Sequence, residues 1–251
     1  MGRWLDQWSI LTNQDEKTLF EWISPLKKED LIGKKVLDAG CGNGGNSVIL
    51  AQYASEVLGI DREATGSPLM FKHPKVSYQK GDLDNLSHED EFDVVICVGV
   101  LHHMEDPAIG FSNLLKASKN DGIIAVWVYS YEGNALLRYI VEPLKKHIIL
   151  KLPQRIFSFI SHFCTFFGYF LAYNPPYMIK ALQFLPYYDY FVYWRKYSYS
   201  RNYMNVYDKL NAPRTHWIAE STIRAWASQL KDPKFSSFNG VSWRLIGRKG
   251  N

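Results

Sequence analysis

Val36-Leu-Asp-Ala-Gly-Cys-Gly-Asn-Gly44 decides how this chain is read. A short apolar run, Lys35–Asp38, stops at an acid. The chain then turns on Gly40, Gly42 and Gly44, and a helix is predicted over Asn46–Tyr53. Glycines without Cβ atoms let a ligand approach the backbone. The unpaired N–H groups opening the next helix suit an anionic group. Three glycines in one turn are weak evidence alone, because dinucleotide fingerprints also carry them. The residues downstream have to decide.

Glu56–Ile60 reads as a second strand ending at Asp61, 17 residues after Gly44. A carboxylate at that place accepts both hydroxyls of a ribose. Val76–Gln79 is a third, weaker strand, and Gly81-Asp82 after it puts an acid where an adenine edge would lie. Phe92–Cys97 is a continuous apolar strand, followed by a helix near Ala108–Lys119 and a strand over Gly122–Tyr129. Strands alternating with helices predict a parallel, doubly wound sheet. Continuous apolar runs fit strands covered on both faces. Late in the chain, Glu220–Leu230 reads as a helix capped by Ser221 or the residues before it. Phe235–Phe238 and Val241–Gly247 flank Asn239-Gly240, the strongest short hairpin signal, so the sheet is expected to close with an antiparallel strand. Residues 1–30 read as helical, from Trp4, Trp8 and Leu11 to Leu19, Phe20 and Ile23, with a break at Pro25.

A length of 251 residues allows one large domain, or one with an insertion. With 47% hydrophobic and 22% charged residues, disordered and collagen-like classes are excluded. Cys41, Cys97 and Cys164 are too few and too scattered for a disulfide framework, a zinc ribbon or a thiol redox pair, which implies a reducing compartment. Met1–Gln14 has no apolar core of a signal peptide, so a cytoplasmic protein is expected, one able to sit peripherally on a membrane.

Two asymmetries mark the middle of the chain. Twenty of its 38 aromatic residues fall between Phe157 and Tyr207. Asn134–Arg214 holds eleven Lys/Arg against three Asp/Glu, net +8, whereas the whole chain is +4. Tyr131–Thr215 therefore reads as an inserted, basic and aromatic helical lid facing an anionic partner. Ile156–Ile179 runs 24 positions without a charge, long enough to span a bilayer. Ser158, Ser161, His162, Thr165 and Gly168 interrupt it, and the α/β pattern resumes afterwards, so an interfacial lid is expected instead. The expected division is 1–30 helical, 31–130 cofactor-binding core, 131–215 lid, and 216–251 closing helix and strands.

The motifs VLDAGCGNG, GID, GDL, FDVVICVGVLHHMEDP and GIIAVWV, in that order over about residues 30–130, resemble the class I S-adenosylmethionine-dependent methyltransferases. The likeness is to the group that acts on small molecules, quinones and lipid-like acceptors, and a weaker match covers 216–249. The resemblance implies an α/β three-layer sandwich: a Rossmann-like seven-stranded sheet with an inserted helical lid. It implies S-adenosylmethionine as cofactor. Asp38 and the backbone of Gly40 and Gly42 would face its methionine part, and Asp61 its ribose. Asp82 and the Leu83 backbone would meet the adenine, and the backbone near Cys97 and Val98 the methionine amino group. Gly66-Ser-Pro68 departs from the family, which continues a regular helix after Asp61. Asn174-Pro-Pro-Tyr177 matches a motif of amino-directed methyltransferases, but there it directly follows the fourth strand. Here Val98–His103 holds that place, and Asn174–Tyr177 reads as a turn between lid helices.

His102 and His103 follow the fourth strand, and His216 precedes the last helix. An unperturbed imidazole titrates near ~6.5, which suits general-base work. His103 and His216 are therefore the candidate catalytic bases for an oxygen acceptor. His102, Tyr131, Arg201, Arg214 and Trp217 are candidate acceptor contacts. Its arginines would grip a carboxylate or phosphate bidentately, and the lid tyrosines suit a ring-bearing acceptor or a lipid surface. Each has a plainer reading. Cys41 and Cys97 are buried fillers, His103 packs at a strand end, His216 follows a Thr215 cap, the arginines are solvated, and the aromatics form the lid's own core. No cluster has metal-ligand spacing, and methyl transfer requires none. Two other readings compete. An RNA methyltransferase would use the basic lid as a clamp, but a 24-residue uncharged run tracks a phosphate backbone poorly, which disfavours a nucleic-acid partner. A non-catalytic S-adenosylmethionine-binding protein would keep the glycine loop and acids without an acceptor pocket. The oligomeric state is left open.

Overall fold

The computed structural model describes residues 7, 10, 15–63 and 70–250. In chain order its main elements are α1 (Glu16–Trp22), β1 (Lys35–Ala39), α2 (Gly45–Ala51), β2 (Glu56–Asp61), β3 (Val76–Lys80), β4 (Phe92–Val98), α3 (Pro107–Ala117) and β5 (Ser118–Tyr129). They continue with α4 (Glu142–His147), α5 (Gln154–Ala172), α6 (Tyr188–Trp194), α7 (Tyr199–Asn211), α8 (Glu220–Ala227), β6 (Leu230–Phe238) and β7 (Ser242–Lys249). Gly66-Ser-Pro68 and the apolar residues Trp4, Trp8 and Leu11 lie outside the described residues.

The chain forms two compact units. The first holds Thr12–Tyr129, Arg214–Phe238 and Trp243 onward, and contains the sheet. Its strands run in the order β3-β2-β1-β4-β5-β7-β6. β1 pairs in parallel with β2 and β4, β2 with β3, and β4 with β5. Arg248 and Lys249 at the end of β7 donate to the carbonyls of Asp121 and Ser118 at the start of β5, so β7 runs against the parallel strands. Side chains alternate across a strand, and here both faces are covered. Leu37, Val95 and Cys97 enter one core with Phe111, Leu114, Ile223 and Trp226 of α3 and α8. Val36, Val94 and Ile96 enter the other with Leu19, Ile23, Ile49 and Leu50 of the α1 and α2 region. This is why the strands are apolar throughout rather than alternating.

Several boundaries differ from the expectations. No division falls at residue 30, because Leu19, Ile23, Leu26 and Leu31 pack beneath the sheet. Arg214 and Thr215 belong to the sheet unit, not to the insertion. α8 ends at Ala227, and Leu230 already opens β6, burying itself beside Gly247. Neither Ser221 nor Thr215 caps α8: its N-cap is Ala219, which makes no side-chain cap. β6 was expected only from Phe235. Its first half, Leu230-Lys-Asp-Pro-Lys, is mostly exposed and carries Pro233, a composition tolerated on an edge strand.

The second unit comprises Ser130–Pro213 and Asn239–Ser242, with Gln7 donating to Asp208 (2.9 Å). Its core is Phe157, Ala172, Trp194, Tyr203, Val206, Tyr207 and Leu210, on α5, α6 and α7. Part of the aromatic crowding is thus the insertion's own interior. α5 turns small residues inward: a Cβ on Gly168 would lie 2.4 Å from Trp194. Ser161 and Thr165 return their hydroxyls to the carbonyls of Phe157 and Ser161. Asn174–Tyr177 is the turn that ends α5, and Arg195 donates to the carbonyls of Ala172 and Tyr177 there.

Candidate cofactor and acceptor site

Every acid expected at a strand end stands at the carboxyl edge of the sheet. Asp38 of β1 is 2% exposed and accepts from the Ser47 hydroxyl (2.6 Å). Burial raises its pKa to about 6. The nearby Asp61 charge adds to the rise, and the Ser47 hydrogen bond opposes it. The glycine turn is stitched to β2: Gly40 and Cys41 both donate to the Ile60 carbonyl (2.7 and 3.0 Å). Gly42 N–H donates to Asp61 Oδ2 (3.0 Å), and Glu63 N–H to Asp61 Oδ1 (2.8 Å). Gly40 has φ +81°, and a Cβ there would fall 2.2 Å from Val100 Cγ2. Gly44 has the same φ, and its Cβ would meet the Tyr78 hydroxyl at 2.1 Å. At these two glycines the nearest obstacle is therefore protein. They let the loop after β4 and the end of β3 close over the turn. Cys41 and Cys97 are buried, which pushes both thiols up and leaves them unreactive.

After β3, Asp82 accepts from Asp84 N–H (3.1 Å) and pairs with Arg62 (2.9 Å), which also lies 3.7 Å from Asp84. Leu83 is buried in the core, and its carbonyl accepts from Asn113 Nδ2 (2.9 Å). Val98 pairs with Trp127 across β5, and Gly99 N–H donates to the Trp127 carbonyl (3.0 Å).

The loop after β4 is tied to the segment that returns from the insertion. His216 N–H donates to the His102 carbonyl (2.7 Å), and Ile218 N–H to the Tyr129 carbonyl (3.0 Å). His103 Nδ1 lies 2.9 Å from the Arg214 carbonyl. A carbonyl only accepts, so Nδ1 carries the hydrogen and the neutral ring keeps its lone pair on Nε2. His102 is fully buried and has the opposite tautomer, since its Nδ1 accepts from Tyr129 N–H (3.3 Å). The two rings lie 4.1 Å apart, Tyr129 lies 4.2 Å from His102, and Trp217 stacks on Tyr129 at 5.9 Å. His216 Nε2 and the indole nitrogens of Trp127 and Trp217 are buried without a hydrogen-bond partner among the described residues. Arg214 is exposed and 3.5 Å from Glu105.

One sheet edge thus gathers Asp38, Gly40, Gly42, Asp61, Asp82, Leu83, Val98, His102, His103, Arg214, His216 and Trp217. Tyr131 and Arg201 belong to the other unit. There Tyr131 lies under the Arg138 guanidinium, 3.0 Å from its ring centre, and Arg201 is buried on α7 rather than solvated.

Residues 37–126 match the family model of a methyltransferase domain. The ubiquinone biosynthesis O-methyltransferase of Thiobacillus denitrificans is 32% identical over 167 residues, covering 61% of this chain and 68% of the relative. The chain belongs to the class I S-adenosylmethionine-dependent methyltransferases. The enzyme of the same description from Actinobacillus pleuropneumoniae is 28% identical over 145 residues, 53% of this chain, and the match spans 61% of that relative's length. Magnesium protoporphyrin IX methyltransferase from Synechocystis, solved with bound SAH, has the same fold. It is 16% identical, with a TM-score of 0.52 covering 98% of this chain and 94% of that one.

The donor set fits the methyltransferase cofactor. S-adenosylmethionine bears a sulfonium and an ammonium, and the acidic character of this edge, with Asp38, Asp61 and Asp82 at its strand ends, suits such a cation. The structural partners around these acids carry uneven signals in the sequence. Ser47 sits nine residues beyond Asp38, within one helical turn of the glycines. Arg62 directly follows a strand-end acid, a signal that was available. Asn113 and Tyr78 act from distant positions and carry no local signal.

Proposed function

We propose that this chain transfers a methyl group from S-adenosylmethionine to an oxygen of a small or lipid-like acceptor. When bound, S-adenosylmethionine supplies an activated methyl group on sulfur. Asp61 accepts the ribose hydroxyls. Asp38, Gly40 and Gly42 hold the methionine part, the Val98 backbone its amino group, and Asp82 with Leu83 the adenine. His103 Nε2 takes the proton from the acceptor hydroxyl. The charge that this places on the ring is shared through Nδ1–H with the Arg214 carbonyl. His216 and Trp217 line the acceptor side, where a buried imidazole nitrogen and a buried indole N–H stand ready for a polar group. Exposed Arg214 suits an acidic substituent.

The observation that carries this reading is the His103–Arg214 hydrogen bond (2.9 Å), which fixes the tautomer that a base requires. The names of the relatives, O-methyltransferases of ubiquinone biosynthesis, support oxygen as the target. General-base help is worth about 10²–10⁴-fold. His103→Ala should lower kcat on a hydroxylated aromatic acceptor by that factor, with S-adenosylmethionine affinity unchanged and partial rescue by added imidazole. A full rate in the folded variant would remove the base and leave alignment alone.

A further inference from the structure

α5 is built inside out for a soluble helix. Its inward face carries Ser161, Thr165, Gly168 and Ala172, all buried, with Phe157 as the one large buried side chain. Its outward face carries Ile156, Phe159, Phe163, Phe166, Phe167 and Phe170, spaced so that they share one side of the helix. Phe159 is 70% exposed, Phe163 61% and Phe166 69%. Single exposed apolar residues are ordinary, but a contiguous aromatic stripe of this length marks an interaction surface.

Charge says what kind of surface it meets. Between Glu142 and Asp189 the sequence has no acid. Exposed Lys151 and Arg155 lie at the start of α5, and exposed Lys180 lies just beyond its end. A second copy of this chain would bring the same bases against each other, whereas an anionic bilayer complements them. The helix is long and apolar enough to cross a membrane. Its inner face is nevertheless committed to packing, with Gly168 against Trp194 and with Tyr169 accepting from Asn202 (3.0 Å). A helix held on one side and apolar on the other lies in the interface.

We propose that the α5 face docks the protein onto an anionic lipid bilayer, its phenylalanines entering the headgroup–acyl boundary and Lys151, Arg155 and Lys180 meeting lipid phosphates. This does not depend on the methyl-transfer reading, because its readout is partition and not turnover. The test is flotation with vesicles of phosphatidylcholine, with or without phosphatidylglycerol. The full chain should float with the anionic vesicles, less with the neutral ones, and less again in high salt. Phe163→Ser/Phe166→Ser should lower the partition by at least about tenfold per residue, the scale of burying one Phe. Lys151→Glu/Arg155→Glu changes two exposed side chains and should abolish the preference for phosphatidylglycerol in a variant whose circular dichroism and melting match the wild type. Absence of flotation with anionic vesicles would overturn the proposal. So would an anionic preference that survives the charge reversal, or a dimer in solution that the phenylalanine variant turns into a monomer while no vesicle binding is seen.

Discussion

Asp38→Asn should stabilise the ligand-free protein while weakening its hold on the cofactor. The Asp38 carboxyl is almost fully buried, and burial raises its pKa from the ordinary 3.8 to about 6. That difference corresponds to about 3 kcal/mol. The sign follows from proton binding. Between 3.8 and about 6 the folded chain keeps a proton that the unfolded chain has lost, so this group's contribution falls as pH rises through that window. Above it the fold carries an ionised carboxylate in a dry site, where the Ser47 hydroxyl donates to it. Asparagine keeps an acceptor for Ser47 and bears no charge. In urea titrations the variant and the wild type should be nearly equal near the bottom of the window. The variant should gain up to about 3 kcal/mol above pH 7. The same substitution removes the negative charge proposed to hold the methionine part and should weaken binding by about 1.5–3 kcal/mol, the scale of a hydrogen bond to a charged group. If the variant were no more stable at pH 8 than at pH 4 relative to wild type, the carboxylate would not be paying a desolvation penalty and the reasoning would fail.

Gly40→Ala should cost about 1–3 kcal/mol of stability through overpacking against Val100, and Val100→Ala in the same chain should return part of it in thermal melts. His216→Ala should raise KM for the acceptor more than it lowers kcat, the reverse of His103→Ala, when both are followed by steady-state kinetics. Equal effects on both constants in the two variants would merge their roles.

What the sequence conveys well here is what strand geometry makes local. Ile60-Asp61 places an acid at the end of β2 because an apolar run must stop where the sheet meets water, and Val36–Asp38 and Gly81-Asp82 bring two more acids to the same edge. Asn239-Gly240 turns the hairpin for equally local reasons. Contacts made across the fold are less accessible. The tautomers of His102 and His103 depend on Tyr129 and Arg214, and the second is 111 residues away. The start of β6 was missed because Leu230-Lys-Asp-Pro-Lys looks like a loop. It is held as a strand by its neighbour and not by propensity. Ser221 suits a cap by residue type but lies inside the first turn of α8, whose N-cap is Ala219. The aromatic excess was visible, but composition did not sort Phe157, which is buried, from Phe159, which faces out; helical phase around Gly168 does that.

The proposed placement of S-adenosylmethionine along one sheet edge puts its ribose on Asp61. Titration calorimetry of S-adenosylhomocysteine into the wild type and Asp61→Ala tests it most directly. One site per chain is expected in the wild type, with a loss of about 1.5–3 kcal/mol of binding free energy in a variant that remains folded. Unchanged affinity in folded Asp61→Ala, or no binding by the wild type, would contradict it.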